Sequence, residues 1–164
     1  MDGPRGSVAA SASRGGPLKI YVASSWRNEL QPRVVSTLRS AGHEVHDYKE
    51  SASGQGEPTV EQVDDLSRMR FEPARFRELL TQHPMARSLF EKDMGALRAC
   101  DACVLVLPCG KSAHLELGWA VGAGKRTLVL LQGECEPDLM YKMVDRLCLS
   151  VDEVVRTLTE WARP

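Results

Sequence analysis

The segment Ala102-Cys-Val-Leu-Val-Leu107 is an uninterrupted apolar run, and a second one, Thr127-Leu-Val-Leu-Leu131, follows it. A short strand without alternation of apolar and polar residues is typical of a parallel sheet, where both faces are covered. Residues 113–123, between the two runs, are predicted to form a helix. A strand, a helix and a strand in this order predict a βαβ unit with a right-handed crossover.

The same alternation extends in both directions from this unit. Segments rich in β-forming residues predict three more strands, at residues 19–23, 43–48 and 147–149. Apolar residues at helical spacing predict further helices, at residues 29–41, 58–66, 71–80, 85–99 and 151–161. The expected fold class is α/β, a three-layer sandwich around a five-stranded, mostly parallel, doubly wound sheet of strand order 2-1-3-4-5.

Length and composition indicate one globular domain. The chain has 164 residues, of which 43% are hydrophobic and 26% are charged. These values are ordinary for a soluble domain. Residues 1–17 are small, polar and rich in Gly, Ser, Ala and Pro, so we expect a disordered N-terminal arm followed by a single domain over residues 18–164.

The charge balance excludes several classes of function. With 21 Lys+Arg and 22 Asp+Glu, the net charge is −1, which provides no general attraction to a nucleic acid polymer or an anionic membrane. No stretch approaches the ~20 apolar residues of a membrane span. The five cysteines are odd in number and follow no apolar leader. We therefore expect free thiols in a cytoplasmic protein that binds neither nucleic acid polymers nor membranes.

Topology predicts where a ligand binds. In an open parallel sheet, ligands bind beyond the carboxyl ends of the strands, at the point where the strand order reverses. Here that point lies between strands one and three, and residues 24–28 and 109–112 flank it. The candidate ligand-binding residues in and after these loops are Ser24, Ser25, Trp26, Arg27, Gly110, Lys111, Ser112 and His114.

Several of these residues have a second interpretation. Ser112 is predicted as the N-cap of the helix that follows it, and with Gly110 and Lys111 it could also hold an anion such as phosphate. Trp26 could stack on a base or lie in the core, and His114 could face the ligand or be satisfied within the protein.

Glu116 is the candidate catalytic carboxylate. It is placed in the first turn of a helix whose other side chains are almost all apolar. A rigid, partly desolvated carboxylate suits a nucleophile or a general base. The alternative is that Glu116 only interacts with the positive end of the helix dipole.

Asp93 is the second candidate. It shares a helical stripe with Phe90 and Leu97, where an apolar residue is expected. A carboxylate on such a face usually has a partner or a chemical role.

Three segments together resemble the nucleoside 2-deoxyribosyltransferase superfamily. They are KIYVASS at residues 19–25, EKD at 91–93 and HLELGWAVGAGK at 114–125. The last of them is most similar to the nucleoside 5′-monophosphate N-glycosidase branch, which includes cytidine monophosphate hydrolases. The resemblance extends in element order over about residues 18–160.

The resemblance implies cleavage of the N-glycosidic bond of a small-molecule nucleotide or nucleoside, without a metal or a cofactor. It implies that Glu116 forms a covalent glycosyl-enzyme and that Asp93 protonates or positions the leaving base. It also implies that the loop at Ser24 and Ser25 contacts the ligand and that Ser112 lies in a phosphate-holding loop. A homodimer or a larger homo-oligomer is implied as well.

Gly110 departs from the pattern of the family, and there are alternatives to nucleotide hydrolysis. The transferases carry Asp six residues before the nucleophile, where this chain has Gly110, so hydrolysis is favoured over base exchange. The alternatives are a nucleoside 2-deoxyribosyltransferase, a hydrolase of a larger glycoside such as a nicotinamide dinucleotide, and a non-catalytic nucleotide-binding or signalling module on the same fold.

Overall fold

Strands and helices alternate along the chain in the computed structural model, which describes residues 16–51, 72–133 and 138–163. The strands are β1 (Lys19–Ala23), β2 (Glu44–His46), β3 (Ala102–Val106), β4 (Arg126–Leu130) and β5 (Arg146–Cys148). The helices are α1 (Gln31–Ser40), α2 (Tyr48–Ser51), α3 (Pro73–Gln82), α4 (Pro84–Ala99), α5 (Lys111–Gly122) and α6 (Val151–Trp161), and a 3₁₀ turn spans Leu139–Met143.

The five strands form one sheet in the order β2-β1-β3-β4-β5, and every strand pairing is parallel. The predicted α/β class and strand order are therefore confirmed. The register places Tyr21 of β1 beside His46 of β2 on one side and beside Cys103 of β3 on the other. Neighbours in register point to the same face of the sheet, so these three side chains lie together.

Two hydrophobic cores lie on the two faces of the sheet. Ile20 and Val22 point to the face that α1 and α6 cover, whereas Tyr21 and Ala23 point to the face that α4 and α5 cover. All of β3 is buried, because helices cover both of its faces. This double burial explains why its sequence shows no alternation.

Ser150 is the N-cap of α6. The hydroxyl of Ser150 accepts a hydrogen bond from the backbone N–H of Glu153 at 3.2 Å, and the Glu153 carboxylate accepts one from the N–H of Leu149 at 2.6 Å. These two acceptors satisfy N–H groups that a helix leaves unpaired at its start.

Some boundaries differ from the prediction. The second strand ends at His46 and not at residue 48, because the Asp47 carboxylate accepts a hydrogen bond from the N–H of Lys49 at 2.9 Å and so starts α2. Phe90, expected to point inward with Leu97, is 59% exposed. Only the C-terminal part of α4 packs on the sheet within the described residues, so the predicted stripe is buried at Leu97 alone.

Other predictions lie outside the described residues. These are the disordered arm up to residue 15 and the helix at 58–66. Within the three described ranges, no helix is both long enough and apolar enough to cross a lipid bilayer.

Candidate active site

Two loops meet at the carboxyl ends of β1 and β3, and Asn28 ties them together. Its side-chain amide donates hydrogen bonds to the carbonyl oxygens of Val106 (3.3 Å) and Pro108 (3.0 Å). Its side-chain oxygen accepts from the N–H groups of Leu30 and Gln31 and so caps α1. Asn28 is buried, and sequence reasoning missed it because these partners lie in a distant segment.

A cavity of about 230 Å³ lies between the two loops. It occupies the switch point of strand order, where the topology predicts a ligand. The side chains and backbone that line it belong to Ser25, Arg27, Asn28, Pro108, Cys109 and Gly110. Ser24 fixes the base of the first loop, because its hydroxyl donates to the Val106 carbonyl oxygen at 2.8 Å.

The helix after the second loop starts earlier than predicted. Gly110, and not Ser112, is the N-cap of α5, so Lys111 and Ser112 lie inside its first turn with exposed side chains. The His114 ring contacts the Gly110 carbonyl oxygen (Nδ1···O 2.9 Å), which fixes the first turn at Gly110. A glycine N-cap leaves the first N–H groups of the helix without a side-chain acceptor, and such groups suit an anion.

Glu116 lies beyond the first turn of α5, which contains no acidic residue. Since the helix dipole acts mainly on the first turn, the dipole interpretation of Glu116 is wrong. Burial raises the pKa of the Glu116 carboxyl to about 7, the negative charge of Asp93 adds to the increase, and a hydrogen bond from the Tyr21 hydroxyl opposes it. Near neutral pH the carboxyl is therefore balanced between its two protonation states.

Tyr21 is the hydrogen-bond donor to this carboxylate from β1. Burial, and then the charges of Glu116 and Asp93, raise the pKa of its phenol, so the hydroxyl keeps its proton. From the sequence, Tyr21 was predicted only as part of the first strand, at residues 19–23. The available signal was a phenol inside a strand covered on both faces, because a buried hydroxyl needs a partner.

His46 links Tyr21 to Asp93. The rings of Tyr21 and His46 stack with centroids 5.3 Å apart, and the His46 Nε2 atom lies 4.0 Å from an Asp93 carboxylate oxygen. Asp93 is half-buried. Its contact with His46 is longer than a hydrogen bond, and the buried Nε2 atom of His46 has no hydrogen-bond partner among the described residues. Four elements, β1, β2, α4 and α5, thus contribute one side chain each to a cluster of Tyr21, His46, Asp93 and Glu116.

Trp26, in the first loop, packs against Tyr48, the first residue of α2. Their rings meet edge to face, with centroids 4.9 Å apart and an interplanar angle of 77°. Trp26 is half-buried, so a protein ring already covers part of its surface. Burial raises the pKa of the Tyr48 phenol, and the charges of Asp47 and Glu116 add to the increase.

His114 points elsewhere. Its Nε2 atom lies 2.9 Å from the Tyr141 hydroxyl, its ring stacks on that of Tyr141, and its Nδ1 atom contacts Gly110. It lines a separate cavity of about 110 Å³ between α5 and the 3₁₀ turn. The structure therefore does not bring His114 to the cavity that Ser25 and Gly110 line.

Cys109 lies in the wall between these two regions. Burial raises the pKa of its thiol to about 11, and the Glu116 charge adds to the increase, so the thiol is not a nucleophile at neutral pH. No group of three or more His, Cys, Asp or Glu side chains in the described ranges is arranged to hold a metal ion.

Neither a protein-family model nor a curated protein matches the chain. Among solved structures, it is similar to the 2-deoxyribosyltransferase of Bacillus psychrosaccharolyticus, with a TM-score of 0.60 and 19% identity, over 83% of this chain and 89% of that chain. It is also similar to a conserved protein of Enterococcus faecalis V583, with a TM-score of 0.58 and 13% identity, over 89% and 99% of the two chains. The chain therefore shares the α/β fold of a 2-deoxyribosyltransferase.

Proposed function

We propose that the protein hydrolyses the N-glycosidic bond of a nucleoside 5′-monophosphate or a nucleoside, releasing the free base and the sugar or sugar phosphate. The observation that supports the proposal is the environment of the Glu116 carboxyl. This group is desolvated, it accepts a hydrogen bond from the Tyr21 hydroxyl, and the charge of Asp93 acts on it. Two carboxylates at one site are what glycoside hydrolysis with a covalent intermediate requires. The shared fold of a 2-deoxyribosyltransferase supports the same chemistry.

In the first step, the ionised Glu116 attacks C1′ of the sugar. A bond forms between a carboxylate oxygen and C1′ while the bond from C1′ to the base nitrogen breaks, and the base takes the electron pair. Asp93 positions the leaving base or, where Asp93 is itself protonated, gives its proton to the base and becomes ionised. Tyr21 holds the attacking carboxylate, and rigid placement of this kind lowers the barrier because the reacting atoms are already aligned.

In the second step, water attacks C1′ and the glycosyl ester breaks. The electron pair of the ester bond returns to Glu116, and the water proton is taken up by a carboxylate at the site. The product is the free sugar or its 5′-phosphate. Gly110 stands where the transferases carry Asp, which supports water over a second base as the acceptor.

A 5′-phosphate would lie at the start of α5. Lys111 and Ser112 expose their side chains in its first turn, and Arg27 lines the same cavity as Gly110. Backbone N–H groups at a helix N-terminus, together with cationic side chains, are a common arrangement for phosphate. Ser25, in the same cavity wall, is proposed to contact the ligand.

A chromatographic screen of nucleosides and 5′-monophosphates for base release tests the function. Wild type should release base, and Glu116→Gln should release none while it still binds ligand. Glu160→Gln, an exposed change on α6, is the matched control and should behave as wild type. Release by Glu116→Gln would refute the nucleophile, and nucleotide binding without release by wild type would favour the non-catalytic module.

We also propose that the protein is a cytoplasmic homo-oligomer. Large apolar side chains are exposed on α5 and on the 3₁₀ turn, namely Leu115, Leu139, Met140 and Met143. Such side chains suit an interface between copies.

The described cysteines, Cys100, Cys103, Cys109 and Cys148, are free thiols, as a reducing compartment allows. Sedimentation analysis of wild type and Leu115→Asp tests the assembly.

A further inference from the structure

The hydroxyl of Tyr48 is buried and has no hydrogen-bond partner among the described residues. The residue is only 8% exposed, so solvent does not satisfy the hydroxyl. Buried polar groups in proteins are nearly always paired, because an unpaired one loses its bond to water without compensation. An unpaired phenol in contact with Trp26 of the first loop therefore indicates a bond that a ligand could complete.

The ring of Tyr48 is fixed in place. It is the first residue of α2, which the Asp47 carboxylate starts by accepting from the Lys49 N–H. The edge-to-face contact with Trp26 holds the ring from the side of the first loop. The neighbouring Ser24 hydroxyl already donates to the Val106 carbonyl oxygen. The Ser24 hydroxyl is therefore a polar neighbour that lowers the pKa of Tyr48, but it does not form a hydrogen bond of normal length and angle with the Tyr48 hydroxyl.

The surroundings of the hydroxyl indicate what it binds. Its nearest charges are negative, those of Asp47 and Glu116, and with burial they keep the phenol protonated. A protonated phenol is a donor, and the charges of these two carboxylates repel an anion such as phosphate, so a neutral acceptor is favoured. Glu116 is the group that attacks C1′ in the proposed reaction, so a donor near it faces the pentose ring.

We propose that Tyr48 donates a hydrogen bond to a hydroxyl of the pentose and thereby discriminates sugars that carry this hydroxyl from those that lack it. The inference rests on the proposed function and adds the residue that reads the sugar. The phosphate would contact the other end of the cavity, at Gly110 and Lys111, and Asp93 would face the leaving base. The pentose lies between the phosphate and the base, and Tyr48 is the residue proposed to bind it.

The test compares Tyr48→Phe with wild type on matched substrates that have ribose, 2′-deoxyribose or 3′-deoxyribose and the same base. On the pentose that wild type prefers, kcat/KM should fall about five- to tenfold, as expected for one lost neutral hydrogen bond. On the analogue without the contacted hydroxyl, the two proteins should differ less than twofold. The same pattern is expected in the Kd values of the three nucleosides.

Stability and a matched control separate this role from a structural one. Tyr48→Phe should fold with unchanged or higher Tm, because the hydroxyl has no protein partner to lose. Tyr141→Phe removes a hydroxyl that lies 2.9 Å from His114, so it should lower Tm and change all pentoses by the same factor.

Two results would overturn the inference. One is an equal loss on all three pentoses, and the other is a loss that follows the base and not the sugar. If wild type releases no base, the proposed hydrolase function fails, whereas the Kd values still decide the role of Tyr48.

Discussion

The Tyr21 hydroxyl donates a hydrogen bond to the Glu116 carboxylate across the layer between β1 and α5. The bond favours the ionised form of Glu116, whereas burial and the charge of Asp93 favour the protonated form. Because these opposing effects leave the pKa at about 7, the carboxyl can ionise for attack near neutral pH while it remains desolvated. Removal of the Tyr21 hydroxyl should therefore raise the pKa of Glu116, and removal of the Asp93 charge should lower it.

Tyr21→Phe should weaken catalysis through the pKa of Glu116. Without the donor, that pKa rises further, so a smaller fraction is ionised at pH 7 and the acid limb of the rate profile moves to higher pH. We expect kcat at pH 7 to fall by about tenfold to a hundredfold, part of which higher pH restores. A kcat profile from pH 5 to 9 measures the effect, and an unchanged acid limb would contradict it.

Asp93→Asn should move the same limb the other way. The Asp93 charge raises the pKa of Glu116, so its removal lowers that pKa and shifts the acid limb of kcat/KM to lower pH. The maximal rate should fall as well, since the proposed helper of base departure is lost, by about 10²–10⁴-fold. A substrate whose base leaves easily should be less affected than one whose base leaves poorly, and equal effects on both would argue against this role.

Much of the fold was predictable because the segment at residues 102–107 admits few interpretations. An unbroken apolar run of that length between helices indicates a central parallel strand, and the crossover rule then restricts the strand order. The switch point of that order led to the two loops that line the observed cavity. Local patterns were sufficient there because topology, and not side-chain detail, decides where the loops meet.

The contacts within the site were less predictable. The stack of Tyr21 on His46 depends on the register between β1 and β2, which no periodicity within either strand reveals. The N-cap at Gly110 was missed because glycine offers no side-chain acceptor, whereas Ser112 does. That error also placed Glu116 in the first turn, where the helix dipole would act on it.

Glu116→Gln should stabilise the protein at alkaline pH. The folded-state pKa of Glu116 is about 7, above the 4.5 of an ordinary glutamate. The free energy of unfolding of wild type is therefore highest, as far as Glu116 is concerned, below pH 4.5, and it falls as the pH rises through 7. The glutamine has no charge to bury. We expect its free energy of unfolding to exceed that of wild type by about 2 kcal/mol at pH 8.5 and by little at pH 5. Urea denaturation at both pH values measures this, and a difference independent of pH would contradict it.

Lys111→Ala and Ser112→Ala should weaken binding of the 5′-phosphate. Both side chains lie exposed in the first turn of α5, where phosphate is proposed to bind. We expect KM for the monophosphate to rise about five- to tenfold in each variant, as for one lost hydrogen bond to a charged group. The corresponding nucleoside is the matched control and should show a clearly smaller change. Equal changes for both substrates would place the phosphate elsewhere.

Asn28→Asp should separate the two functions of Asn28. A carboxylate still accepts from the N–H groups of Leu30 and Gln31, so the cap of α1 is kept. It cannot donate to the carbonyl oxygens of Val106 and Pro108, and it meets them with a negative charge. We expect a loss of about 2 kcal/mol in unfolding free energy, because two hydrogen bonds are lost and the new carboxylate faces their acceptors. Since these bonds join the two loops, kcat/KM should also fall at temperatures where the variant is folded.

Urea denaturation measures the free energy of unfolding, and kinetics at temperatures below the unfolding transition measure kcat/KM. A variant with wild-type stability and activity would show that Asn28 does not hold the loops together.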